Sequence, residues 1–136
     1  MKITVAAIRS NIDPVTDFVN EQLKKMGCSP RSMKQIDVAL DELFSNICNY
    51  AYDKMDVAGR ATISVREIPE EGTVQITLED DGIPFDPLAL TDPNTKLPLE
   101  ERSIGGLGIF MVKRTMNKVK YEFKDGVNTL TVTKSL

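Results

Sequence analysis

The sequence predicts an α+β two-layer sandwich: a mixed, mostly antiparallel sheet with helices on one face and a long irregular lid. Three observations carry that expectation. A short alternating run at the start is followed by two helical patterns. Two β-branched runs come next. A proline-rich stretch then leads into a third helix and a hairpin. Helices and strands that come in runs, rather than in strict alternation, suit helices packed on one face of a sheet. At 136 residues the chain fits one domain over 1–136, long enough to bury a core without metal or disulfide support.

Each element has a local reason. Residues 2–8 (KITVAAI) alternate as a strand does. Asp13-Pro14 supplies an N-cap and a proline at the first helical position, opening a helix to about Gly27. Ser29-Pro30 repeats that signal before apolar residues recur at helical spacing from Met33 to Ala51. The β-branched runs 61–68 and 73–79 are joined by Pro69-Glu70-Glu71-Gly72. Pro84, Pro87, Pro93 and Pro98 then fall among Asp, Asn and Thr, so 82–106 has little regular structure. So long a loop inside a compact domain reads as a lid. A helix resumes near Leu107 and ends near Asn117, and strands 118–124 and 127–133 flank an Asp125-Gly126 turn.

Composition removes several functions. The net charge of -3 argues against nucleic acid or an anionic membrane as a direct partner. With no histidine, the chain has neither a Ser-His-Asp triad nor a histidine metal site, so a general base must be a carboxylate, lysine or tyrosine. Cys28 and Cys48 lack metal-ligand spacing and read as buried or semi-buried thiols in a reducing compartment. No signal peptide and no membrane-spanning run is evident, so a cytoplasmic location is expected.

The second helix carries the first candidate group. Ile36, Leu40, Leu43, Phe44 and Ile47 share one broad face, while Gln35, Glu42, Asn46, Asn49 and Asp53 form a narrow polar stripe beside it. Asparagine is a poor helix former, so two of them here need a reason. A solvated face is one reading. The other is that carboxylate and amide oxygens at i and i+4 offer hard ligands to Mg²⁺ and its waters, with Glu42 as the base.

Two loops complete the constellation. Strand 73–79 runs into Asp80-Asp81-Gly82, where a carboxylate at a strand end can accept a hydrogen bond from an exocyclic amine such as that of adenine. Gly82 would let the backbone approach the ring. The same residues also read as a plain turn. Gly105-Gly106-Leu107-Gly108 precedes an apolar helix, where free backbone N–H groups and the helix dipole make a phosphate cradle. The glycines are equally a hinge for the lid. Arg102-Ser103, just before them, is the pair placed to close over phosphates; Lys113 and Arg114 read as solvated surface.

Taken in order, Glu42-x-x-x-Asn46, Asp80-x-Gly82 and Gly106-Leu107-Gly108 resemble the N, G1 and G2 boxes of the GHKL superfamily of ATPases and kinases. The sequence is most similar to its bacterial anti-sigma-factor serine-protein kinases, through Glu42-Leu43-Phe44-Ser45-Asn46, Ala51-Tyr52, Pro84-Phe85-Asp86-Pro87 and Glu101-Arg102-Ser103. The likeness spans essentially the whole chain. It implies ATP and Mg²⁺ as cofactors, Asn46 as the metal ligand, Glu42 as general base, Asp80 with Gly82 at adenine, and Gly106 and Gly108 under the phosphates. Tyr50 stands where many relatives carry histidine, and Ile104 where glycine is common.

The resemblance further implies a protein-serine kinase of transcription regulation, phosphorylating an anti-sigma-factor antagonist in trans. It also implies sequestration of a sigma factor, with a homodimer as the form that its relatives often take. Motifs for ATP leave open a second reading, a nucleotide-dependent module that holds a partner without phosphorylating it.

Overall fold

The computed structural model describes residues 1–52, 59–89 and 106–136. Five strands, β1 (Lys2–Ala6), β2 (Arg60–Ile68), β3 (Thr73–Asp80), β4 (Lys118–Lys124) and β5 (Val127–Ser135), form one sheet in the order β1-β2-β3-β5-β4. Three α-helices, α1 (Ile12–Lys25), α2 (Pro30–Asn46) and α3 (Gly106–Thr115), accompany it, with short 3₁₀ and π turns between elements. The two-layer α+β architecture is the expected one. The sheet, expected to be mixed but mostly antiparallel, is antiparallel at every pairing among the described strands. Two hairpins, β2–β3 and β4–β5, account for this, because α3 returns the chain so that β5 lies against β3.

Local chemistry sets most boundaries. The Ser29 hydroxyl accepts the Ser32 N–H at 3.2 Å and Pro30 takes the first position of α2, as an N-cap should. The start of α1 falls differently. It opens at Ile12 after Asn11, whose side-chain amide reaches back to the Ala6 carbonyl, so Asp13 lies inside the first turn rather than capping it. There its charge still favours the helix N-terminus. At the other end Gly27, at φ 72°, lets its own N–H and that of Cys28 return to Lys24 and Leu23. Asp125 and Gly126 both adopt positive φ, which a two-residue hairpin turn needs.

The core lies between the helix layer and one sheet face. Val15, Val19 and Leu23 of α1 meet Ile36, Leu40 and Phe44 of α2, all at most 1% exposed. Ile63, Ile76 and Leu78 rise from the sheet beneath them. The other face is polar, with Thr62, Ser64, Thr77, Thr129 and Thr131 at alternate positions. Among the described residues no helix is long and apolar enough to cross a membrane.

Phe44 is fully buried at the centre of the α2 face. Replacing it with alanine should cost about 3–5 kcal/mol in the free energy of unfolding, measured by denaturant titration. A loss below about 1 kcal/mol would mean that this face does not carry the core.

Candidate functional site

The site begins where β3 ends. Val74, Ile76, Leu78 and Asp80 alternate onto the core face, so the last of them turns a carboxylate inward beneath the helices. Asp80 is 8% exposed. Its Oδ1 accepts the Gly82 N–H at 3.0 Å and the Asn128 side-chain amide at 2.9 Å. Burial pushes its pKa up, these two hydrogen bonds pull it back, and the neighbouring Asp81 charge adds to the rise. Gly82 is needed for a different approach from the one expected. A Cβ there would run into the Ala51 carbonyl, so the glycine admits the end of the α2 segment. The contact is sealed by Ile83, whose N–H donates to Ala51 O at 2.8 Å.

The polar stripe of α2 faces this corner. Asn46 is buried and Glu42 half-buried. The Glu42 Oε1 and Asn46 Nδ2 atoms are buried with no hydrogen-bond partner among the described residues. Asn46 and Asp80 line one partly open pocket, whose walls include Leu43, Leu78 and Phe85. Apolar walls with a few convergent polar groups are the usual make-up of a small-molecule site. Burial raises the Glu42 pKa, and the adjacent Asp41 charge raises it further.

Beyond Asn46 the chain continues as a π turn, Ile47–Ala51. Each residue of such a turn advances less than 100°, so Asn49 leaves the line of Glu42 and Asn46 and is exposed. Tyr50 stacks on Phe85 with ring centroids 5.1 Å apart. Tyr52 closes the far side. Its hydroxyl accepts the Asp81 N–H, and its single proton is shared between Arg60 O at 2.6 Å and Asp81 Oδ1 at 2.8 Å. Burial pushes the phenol pKa well up.

The glycine-rich segment enters through α3. Gly106, Leu107 and Gly108 form its first turn, and a Cβ on Gly108 would overlap the Glu42 carboxylate. The free N–H groups of a helix start thus lie beside the proposed base. Arg102, Ser103, Gly105, Ile104 and Asp53 lie outside the described residues, as does most of the expected lid. Of that segment, Pro87–Ala89 form a 3₁₀ turn, and Asp86 Oδ1 accepts the Leu88 N–H at 2.9 Å.

Asn128 was missed by the sequence reading. It pairs across the sheet with Asp80 and is 5% exposed. One signal was available: Asn128, Leu130 and Val132 share the core-facing parity of β5, where an asparagine is out of place.

Comparison with known proteins now bears on this arrangement. Residues 5–134 match the family model described as the histidine kinase-like ATPase domain. The chain belongs to that family. It is 30% identical over 116 residues to a serine-protein kinase RsbW of Bacillus licheniformis, covering 82% of this chain and 70% of that one. It is 27% identical over 105 residues to the serine/threonine-protein kinase BtrW of Bordetella bronchiseptica, covering 77% and 72%. These relatives bear out the resemblance to the anti-sigma serine-kinase group of the GHKL superfamily. A chain in the crystal structure of the SiaB–SiaC complex from Pseudomonas aeruginosa superposes with a TM-score of 0.57. It covers 98% of this chain and 88% of that one at 19% identity, which establishes the shared fold.

The two close approaches make a direct test. Gly82→Ala should cost about 1–3 kcal/mol, because an added methyl meets the Ala51 backbone. Gly108→Ala meets only the carboxylate end of the Glu42 side chain, which can turn aside, so it should cost less than Gly82→Ala. Gly72, a turn glycine with open space around it, serves as the comparison site: Gly72→Ala is strained only through its φ of 64°. A denaturation midpoint of Gly82→Ala equal to wild type would refute the packing.

Proposed function

We propose that this domain binds ATP with Mg²⁺ and transfers the γ-phosphoryl group to a serine of an anti-sigma-factor antagonist. The observation that carries the reading is a pair of buried polar atoms, Glu42 Oε1 and Asn46 Nδ2, without partners among the described residues, beside the Asp80 cavity and the glycine start of α3. Buried polar groups are normally satisfied, so such a pair awaits a ligand. Kinship with the RsbW and BtrW kinases supplies the reaction class.

The residues fit both cofactors. Asp80 accepts from the adenine amine, and Gly106 and Gly108 offer backbone N–H groups to phosphate. Among the described residues no cluster of three or more Asp, Glu or Cys could cage a metal. That suits Mg²⁺, which is commonly held by one or two protein oxygens together with substrate phosphates and water. Asn46 would hold the metal through its side-chain oxygen, and Mg²⁺ there would supply charge neutralisation for the phosphoryl group. Glu42 would take the proton from the serine hydroxyl as its oxygen bonds the γ-phosphorus and the bond to the β-phosphate oxygen breaks, leaving ADP. Burial has moved its pKa in the direction a base near neutral pH requires. Arg102, Ser103 and Gly105 are further phosphate-binding residues in this reading, and Asn49 lies at the rim. A cytoplasmic regulator that also sequesters a sigma factor as a homodimer completes the proposal.

Incubation with radiolabelled ATP and candidate antagonists, scored for phosphoserine, tests the activity. Glu42→Gln should retain ATP binding and lose transfer by at least about 100-fold, since an amide accepts no proton. Transfer at the wild-type rate would overturn the base assignment, and binding without transfer in the wild type would favour a non-catalytic partner module. Asn46→Ala should weaken ATP binding in Mg²⁺ while leaving the metal-free affinity near wild type, as read by calorimetry.

A further inference from the structure

We infer that Asn128 is a positioning residue that fixes the rotation of the Asp80 carboxylate and so sets the preference for a purine bearing a 6-amino group. The inference rests on Asp80 as the adenine acceptor and adds the group that orients it.

The geometry leaves the Asn128 carboxamide one orientation. Its Nδ2 donates to Asp80 Oδ1 at 2.9 Å and to Ile83 O at 2.9 Å, with Gly82 O a longer third contact at 3.4 Å. Its Oδ1 accepts the Phe85 N–H at 3.3 Å and the Tyr121 hydroxyl. An amide has two hydrogens and two lone pairs, and all are used here. Turning it over would set its oxygen against two acceptors and its N–H groups against two donors. Gly82 N–H adds a second bond to the same Asp80 oxygen. Both bonds fall on Oδ1, so among the described residues Oδ2 is the oxygen left for a ligand.

The position follows from register. Asp80 and Asn128 are direct cross-strand partners at the same end of β3 and β5, both on the core face. Tyr121, two residues away on the sheet edge, lines the same cavity and locks the amide from outside. The charged and titratable groups nearby are Asp81 beside Asp80, Tyr52 from the end of the α2 segment, Asp86 near Tyr121, and Arg60 at the start of β2. Among the described residues, the side-chain donor to Asp80 is Asn128.

The test compares ATP with purine riboside triphosphate, which lacks only the 6-amino group, by calorimetry in Mg²⁺ at pH 8. Wild type should prefer ATP by at least about tenfold, the worth of one hydrogen bond to a charged acceptor. Asn128→Asp keeps an acceptor for Phe85 and Tyr121 but turns an oxygen toward Asp80. Asn128→Ala removes both functions and can hold no proton shared with Asp80. In each variant the preference should fall below about threefold, a loss confined to that one hydrogen bond. Affinity for the analogue should stay near wild type. Thermal melts confirm folding, and either variant alone suffices if the other does not fold. A general structural role would weaken both nucleotides equally, and a preference that survives both substitutions would likewise overturn the inference. If wild type itself shows no preference, the adenine assignment of Asp80 fails instead.

Discussion

The contact between the end of the α2 segment and the turn after β3 governs the geometry of the site. Ala51 offers a carbonyl that no further helical turn among the described residues takes up, and Ile83 N–H satisfies it. That bond forms only because Gly82 brings no side chain between the two backbones. Tyr52 and Asp81 fasten the next residues on each side. The helix bearing Glu42 and Asn46 is thereby held at a fixed distance from the strand bearing Asp80. Neither half makes a site alone.

The π turn belongs to the same device. Had α2 continued with α-helical pitch, Asn49 would have stayed in line with Glu42 and Asn46. The wider turn instead moves Asn49 outward, sets Tyr50 against Phe85, and delivers Ala51 to the turn after β3. Such turns within helices recur at functional positions because they re-aim side chains without breaking the helix. The cost of extra backbone irregularity is offset by contacts across the helix–sheet boundary.

Burial gives the polar groups their chemistry. Asp80 is tuned by opposing effects, desolvation raising its pKa and two hydrogen bonds lowering it. Among the described residues Glu42 Oε1 receives no such bond, so desolvation acts there without that compensation. One carboxylate is therefore fixed as an acceptor, while the other is left open to a cation or a proton. Gly108 maintains the second condition by letting α3 close against Glu42 without a side chain in between.

Much of this was legible in the sequence because it rests on local rules. Helical periodicity identified the α2 core face and the stripe beside it, Asp125-Gly126 specified the hairpin turn, and the order of three short motifs pointed to the family. Glu42, Asn46, Asp80, Gly82 and Gly108 were named without coordinates, since their types and spacing are properties of single segments. Asn128 was not, although it stands at a core parity of β5. Its meaning depends on the register of β5 against β3, and that register is a pairing between residues 48 apart in sequence. The reasons for Gly82 and Asn49 were likewise hidden, because one depends on the Ala51 carbonyl and the other on a local change of helical pitch. Sequence fixes what each residue can donate, accept or bury; only the folded chain decides which groups meet, because packing between distant segments sets those distances.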